Sequence, residues 1–172
     1  SKLYLKPAID ILRVPGKPQQ ILAERMGYSG DECWTGFYAC DWELFSSNRR
    51  QALGEVRIPE IADKIPYFLF VGRFLEIKGI PTLLKAYSKY RETVRSPWRL
   101  ICAGSGPLEN QIANSKATDI GFVQPSELPS LMAEASCFIL PSRYEPWGVV
   151  LQEAAASGLP LICSSACGSG PV

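Results

Sequence analysis

From residue 66 onward, short apolar runs alternate with longer segments whose apolar positions recur at helical spacing. The runs are "PYFLFVG" (66–72), "WRLICAG" (98–104), "TDIGFV" (118–123), "CFILP" (137–141) and "LPLICSS" (159–165). Their length and their Gly or Pro boundaries predict buried strands rather than helices. Over 78–95, Leu83, Leu84, Tyr87 and Val94 share one helical face and Pro81 falls in the first turn, a pattern for an amphipathic helix. Shorter helices are predicted over 107–114 and over 126–135, with Ser126 as N-cap, and an Ala-rich one from Gly148. The connections are too long for hairpins, so the strands should run parallel with helices over both faces. Sheets of this kind bind ligands in the crevice at the carboxyl ends of their strands. That rule gathers the loops beginning at Gly72, Gly104, Val123 and Pro141 along one edge.

Residues 1–58 lack this rhythm. Strands are expected within 9–17 and 33–38 and helices over 19–28 and 42–53, the last capped by Asp41. The section is too short for a domain of its own. After "SSACGSGPV" a further helix and strands would be expected. The expectation is therefore a fragment, incomplete at both ends.

Composition narrows the chemistry. The 172 residues suit one domain, or one domain plus part of another. With 18 basic and 17 acidic residues, bulk charge gives no support to nucleic-acid or membrane binding. No apolar run approaches the roughly 18–20 residues of a membrane span. The chain has no histidine, which excludes Ser-His-Asp and Cys-His nucleophiles and His-based zinc sites within this stretch. Carboxylates, cations, hydroxyls and backbone amides must do any work. The six cysteines show no paired framework. Cys102, Cys137 and Cys163 lie inside strand-like runs as small hydrophobes, so six free thiols are expected. Asp41 and Glu43 read as a helix cap rather than a metal pair.

Candidate chemistry lies in the loops. Arg73 and Lys78 follow the first buried strand, where cations suit a phosphorylated ligand, although two solvated surface charges are the better explanation of such a pair in isolation. Gly104 and Gly106 allow close backbone approach to a ligand, or an ordinary tight turn; Glu109 breaks the full dinucleotide fingerprint. In "SRYEPWGVVLQEAAASG" (142–158), Gly148 opens a helix whose first amides, near Val149 and Val150, should lack intrahelical partners and form an anion site. Glu145 and Glu153 flank that site; taken singly, Glu145 also reads as a carboxylate favouring the helix dipole and Glu153 as a solvated helical position. A carboxylate beside a phosphate would repel it, unless it held sugar hydroxyls instead.

Residues 67 to about 165 resemble the nucleotide-sugar half of the GT-B fold retaining glycosyltransferases, the large Glu-x7-Glu family that includes sucrose synthases and many mannosyltransferases. The stretches that carry the likeness are "FLFVGRFLEIKGIPTLLKAY", "LICAGSGPLE" and "IGFVQPSELPSLMAEASCFILPSRYEPWGVVLQEAAASGLPLICS". The resemblance implies an α/β fold: a Rossmann-like parallel sheet, the C-terminal half of a GT-B fold, over 59–172. Residues 1–58 would be the tail of the acceptor-side domain and the connection to it. It implies that Arg73 and Lys78 hold the donor diphosphate, that Glu145 faces the donor sugar, and that Glu153 holds the ribose hydroxyls. Gly148 and Val149 would meet phosphate, Phe122 and Val123 would lie near the base, and Gly72, Gly104 and Gly106 would line the donor site. Arg73, Lys78 and Glu145 are the residues it assigns to catalysis. It further implies transfer with retention and without a metal or other cofactor. The partners would be a nucleotide-sugar donor and a sugar, lipid or other hydroxyl acceptor bound mainly by the missing domain, with no nucleic acid. The enzyme would be cytoplasmic, either free or attached to a membrane surface through the missing domain. A non-catalytic nucleotide-sugar-binding module and a GT-B epimerase are the alternatives. Two departures stand out: Ser136 where the family often has Asp, at a position expected to be structural, and Trp147 where Phe is commoner.

Overall fold

The computed structural model describes residues 8–36, 38–51 and 65–169. Five strands form one parallel sheet: β3 (Tyr67–Val71), β4 (Arg99–Ala103), β5 (Thr118–Asp119), β6 (Cys137–Leu140) and β7 (Leu161–Cys163), in the order β5-β4-β3-β6-β7. Before them a separate two-stranded parallel pair joins β1 (Leu12–Arg13) to β2 (Cys33–Trp34). The helices are α1 (Lys17–Arg25), α2 (Trp42–Gln51), α3 (Ile80–Thr93), α4 (Glu109–Ala113), α5 (Leu128–Glu134) and α6 (Val149–Ala156).

Strand β3 shows why the sheet is covered on both faces. Its side chains alternate: the Tyr67 hydroxyl donates to the Leu131 carbonyl of α5 at 3.1 Å. Phe68, facing the other way, meets Tyr90 of α3 edge-on at 5.3 Å between ring centroids. Leu69 and Phe70 are fully buried, and each such burial contributes about 1.5–3 kcal/mol. On α3, Ile80, Leu83 and Tyr87 are buried, whereas Val94 lies past the last turn in extended backbone and is exposed. Helix α2 packs on α5 and α6, with Phe45 in the main core. Asp41 caps it, Oδ1 accepting from the Leu44 amide at 3.0 Å. Residues 8–36 keep a small core of their own around Val14, Ala23, Tyr28 and Cys33. The expected boundary between residues 58 and 59 lies outside the described residues.

Three local expectations need correction. The strand expected over 118–123 stops at Asp119: Asp119 Oδ1 accepts from the Gly121 amide at 2.8 Å and Gly121 turns to φ 72°, so local bonding ends the ladder. Ser126 does not cap α5; Glu127 holds the N-cap position, and its carboxylate instead accepts from the Gln124 amide. The helix at 107–114 is reduced to α4. Ser136 is structural as expected, its hydroxyl accepting from the Tyr67 amide at 3.3 Å.

Candidate active site

Because all five strands are parallel, their carboxyl ends share one edge, and the loops after β3, β4, β5 and β6 emerge there. Neighbouring β3 and β6 lead away in opposite directions, β3 to β4 and β6 to β7. This is the topological switch point, where the two loops part and leave a crevice. Lys78 lies on the first of these loops and Glu145 on the second.

They meet. Lys78 Nζ forms an ion pair with Glu145 Oε2. The Ser142 hydroxyl also donates to that oxygen, at 3.4 Å. Side-chain exposure of 25% for Lys78 and 11% for Glu145 sets the pair apart from a solvated surface contact, where little energy would be gained. Backbone contacts fix both sides. The Arg143 amide donates to the Ile77 carbonyl at 2.8 Å, and a Cβ at Gly79 would collide with the Pro141 carbonyl. The Glu145 amide donates to Ala166 at 3.2 Å and its carbonyl accepts from Gly168 at 3.0 Å. The stretch 164–169 thus braces the loop, with Ser164 Oγ donating to the Ser142 carbonyl and Ser169 Oγ to the Trp147 carbonyl.

Gly148 is the N-cap of α6 at φ 88°, a conformation only glycine adopts without strain. A Cβ there would lie 3.1 Å from Glu145 Cγ, so the helix start and the carboxylate are in contact distance of one another. The amides of Val149 and Val150 fall in the first turn, where helix geometry supplies no partner. Glu153 follows on the same helix, half-buried. Burial pushes its carboxyl above the ordinary value of 4.5.

Gly72, Arg73, Gly104, Phe122 and Val123 line a second part of the crevice, a cavity of about 380 Å3. Arg73 is exposed at its side, and the Phe122 ring is 66% exposed, a large apolar surface left open beside the cavity. The glycines have a packing reason of their own. A Cβ at Gly104 would collide with the Gly72 carbonyl, and one at Gly106 would lie 2.7 Å from the Phe74 carbonyl oxygen. Around them the Phe74 amide donates to the Ser105 carbonyl at 2.9 Å, and the Leu108 amide to Phe74 at 3.1 Å. The first two loops are therefore locked together backbone to backbone.

The sequence-predicted residues fall into two groups on one edge: Lys78, Glu145, Gly148, Val149 and Glu153 around the helix start, and Gly72, Arg73, Gly104, Phe122 and Val123 around the cavity. Gly106 belongs to the loop packing. Sequence reasoning missed Ser142, Gly168 and Ser169; for the last two the run of small residues in "SSACGSG" was the available signal. Among the described residues no three His, Cys, Asp or Glu side chains cluster as metal ligands, and no helix is long and apolar enough to cross a membrane. All six cysteines are free.

Comparison with known proteins bears on the fold and the family. The chain is 33% identical over 173 aligned residues to an uncharacterized glycosyltransferase of Methanocaldococcus jannaschii, covering 96% of this chain and 41% of that protein. Sucrose-phosphate synthase from Thermosynechococcus elongatus superposes with a TM-score of 0.71 at 24% identity, over 94% of this chain and 42% of that one. Anabaena HepE, solved with UDP and glucose, gives 0.69 at 20% identity, over 98% and 50%. The chain thus spans half or less of the length of each. The model of the family described as glycosyl transferases group 1 matches residues 55–172. With its parallel sheet, and with that match over most of its length, the chain belongs to the glycosyl transferases group 1 family.

Proposed function

We propose that the whole protein moves a sugar from a nucleoside-diphosphate donor to a hydroxyl acceptor with retention of configuration, and that this chain is its donor-binding part. Residues 59–172 form the donor unit, and 1–58 the end of the acceptor-side domain with the connection. The observation that carries the reading is the arrangement at the switch point: Glu145 and Glu153 on either side of the α6 start, with Lys78 paired to Glu145.

The chemistry follows from charge. A departing nucleoside diphosphate gathers negative charge, and donors already fixed in place stabilise it at no cost of reorganisation. Arg73, Lys78 and the first amides of α6 supply those donors, so the reading needs no metal ion. Lys78 touches the carboxylate that would face the sugar, so one cation can hold Glu145 in position and reach the phosphate beside it. Glu153, whose burial disfavours its charge, gains from hydrogen bonds donated by two ribose hydroxyls. Gly72, Gly104, Phe122 and Val123 frame the base end. The cysteines of β4, β6 and β7, used as small hydrophobes, fit a reducing cytoplasm. UDP and glucose in Anabaena HepE support trying UDP-sugars first.

The test is a screen of the full-length protein against UDP-, GDP- and ADP-sugars, with NMR of the product's anomeric centre. Transfer with the donor's configuration kept is expected. Inverted product would refute retention. Tight nucleotide-sugar binding with neither transfer nor hydrolysis would reduce the protein to a binding module.

A further inference from the structure

We propose that Gln19 is a positioning residue for the sugar-facing loop: with Gly16 and Tyr38 it holds the Pro146–Trp147 turn, and through that turn Glu145. The inference rests on the donor reading above. It concerns a part of the chain, residues 8–36, that has its own small core and contributes no residue to the two groups already described.

Three contacts reach the turn, two from this part and one from Tyr38 just after it. The Gln19 side-chain amide donates to the Pro146 carbonyl at 2.9 Å, across 127 residues of sequence. The Tyr38 ring stacks on Trp147, with centroids 6.4 Å apart and planes 26° from parallel. The third contact concerns Gly16, the N-cap of α1, which makes no side-chain capping bond. Ser, Asp or Asn is preferred at such a position. Here a Cβ would lie 2.5 Å from the Trp147 ring, so the indole occupies the space any larger residue would need. Gly16 has φ −168°, extended backbone open to every residue type. The demand for glycine is therefore one of space, not of conformation.

Trp147 itself is anchored by packing. Its indole nitrogen is buried and has no hydrogen-bond partner among the described residues, and the ring packs against Gly16 and Tyr38. Pro146 and Trp147 directly follow Glu145, whose backbone they continue into the Gly148 helix start. A shift of the turn is thus passed to the Glu145 carboxylate, whereas the α6 start keeps a brace of its own, Ser169 Oγ donating to the Gly148 carbonyl at 3.3 Å. Small misplacements of a reacting group cost large factors in rate. The cavity around Arg73 and Phe122, on the loops after β3, β4 and β5, does not include the turn. Nucleotide affinity should therefore survive a change that lowers turnover.

The experiment uses the full-length protein labelled with 5-fluorotryptophan, the Trp147 resonance being assigned with Trp147→Phe. Fluorine NMR, turnover with the donor found in the screen, and calorimetry with its nucleoside diphosphate are then compared for wild type, Gln19→Ala and Gly16→Ala. Both variants are expected to move or broaden the Trp147 resonance and to lower kcat by on the order of ten- to a hundred-fold. Nucleoside diphosphate affinity should stay within about two-fold, which also shows that the donor half is folded. An unmoved resonance in Gln19→Ala, or a moved one with unchanged kcat, would overturn the proposal. So would loss of nucleotide affinity alongside turnover, since Gln19 would then be holding the fold. Failure of the wild type to transfer any sugar is seen before a variant is compared; it refutes the donor reading, and the positioning role falls with it.

Discussion

Glu153 is a carboxylate that the fold alone would hold more readily as a neutral group. Burial on α6 raises its carboxyl above 4.5, so the folded state binds its proton more tightly than the unfolded chain does. The linkage then has one sign: stability falls as pH rises through this window, and the ionised form at neutral pH is a burden. Glu153→Gln should therefore unfold at higher urea than wild type at pH 7, and the gap should close as pH drops below 4.5. Equal midpoints at both pH values would show that burial costs nothing. A destabilising charge held half-buried on α6 fits a ligand role. Glu145 and Lys78 were each legible in the sequence as loop charges, but their pairing was not. It depends on β3 and β6 lying side by side, although β4 and β5 separate them in sequence. The braces from Ser142, Gly168 and Ser169 were hard to read for a related reason: their bonds run largely to backbone carbonyls and amides, so the small residues of 164–169 show at most that the chain packs closely there and not what it bonds.

At the scale of elements, strand identity was legible because five-residue apolar runs such as "YFLFV" and "RLICA" admit little else once flanked by turn residues. Ends were less so. The β5 ladder stops where the Asp119 side chain and a left-handed Gly121 compete with pairing, a contest invisible to periodicity. The α6 start was legible from Gly148, and the structure adds why it must be glycine. Its φ of 88° costs a non-glycine residue about 1–2 kcal/mol, and a Cβ would press on Glu145 Cγ. Gly148→Ala should accordingly lower unfolding stability by at least about 1 kcal/mol in chemical denaturation, with nucleoside diphosphate binding weakened as well. Wild-type stability in that variant would mean the left-handed cap is dispensable.

For the whole molecule, the proposed function has the two glutamates serve different ends of one donor. Fold class followed from rhythm along 66–165, whereas residues 1–58 have little rhythm and reveal their role only through contacts: Phe45 of α2 enters the main core, and Gln19 reaches the Pro146 carbonyl. The most direct test separates the glutamates in the full-length protein, by calorimetry with the product nucleoside diphosphate beside a transfer assay. Glu153→Ala should weaken nucleotide binding roughly ten-fold to more than a hundred-fold, the loss of about 1.5–3 kcal/mol from hydrogen bonds to a charged group. Glu145→Ala should bind the nucleotide nearly as wild type does while turnover falls steeply. Nucleotide binding abolished by Glu145→Ala and untouched by Glu153→Ala would contradict the assignment of the two carboxylates.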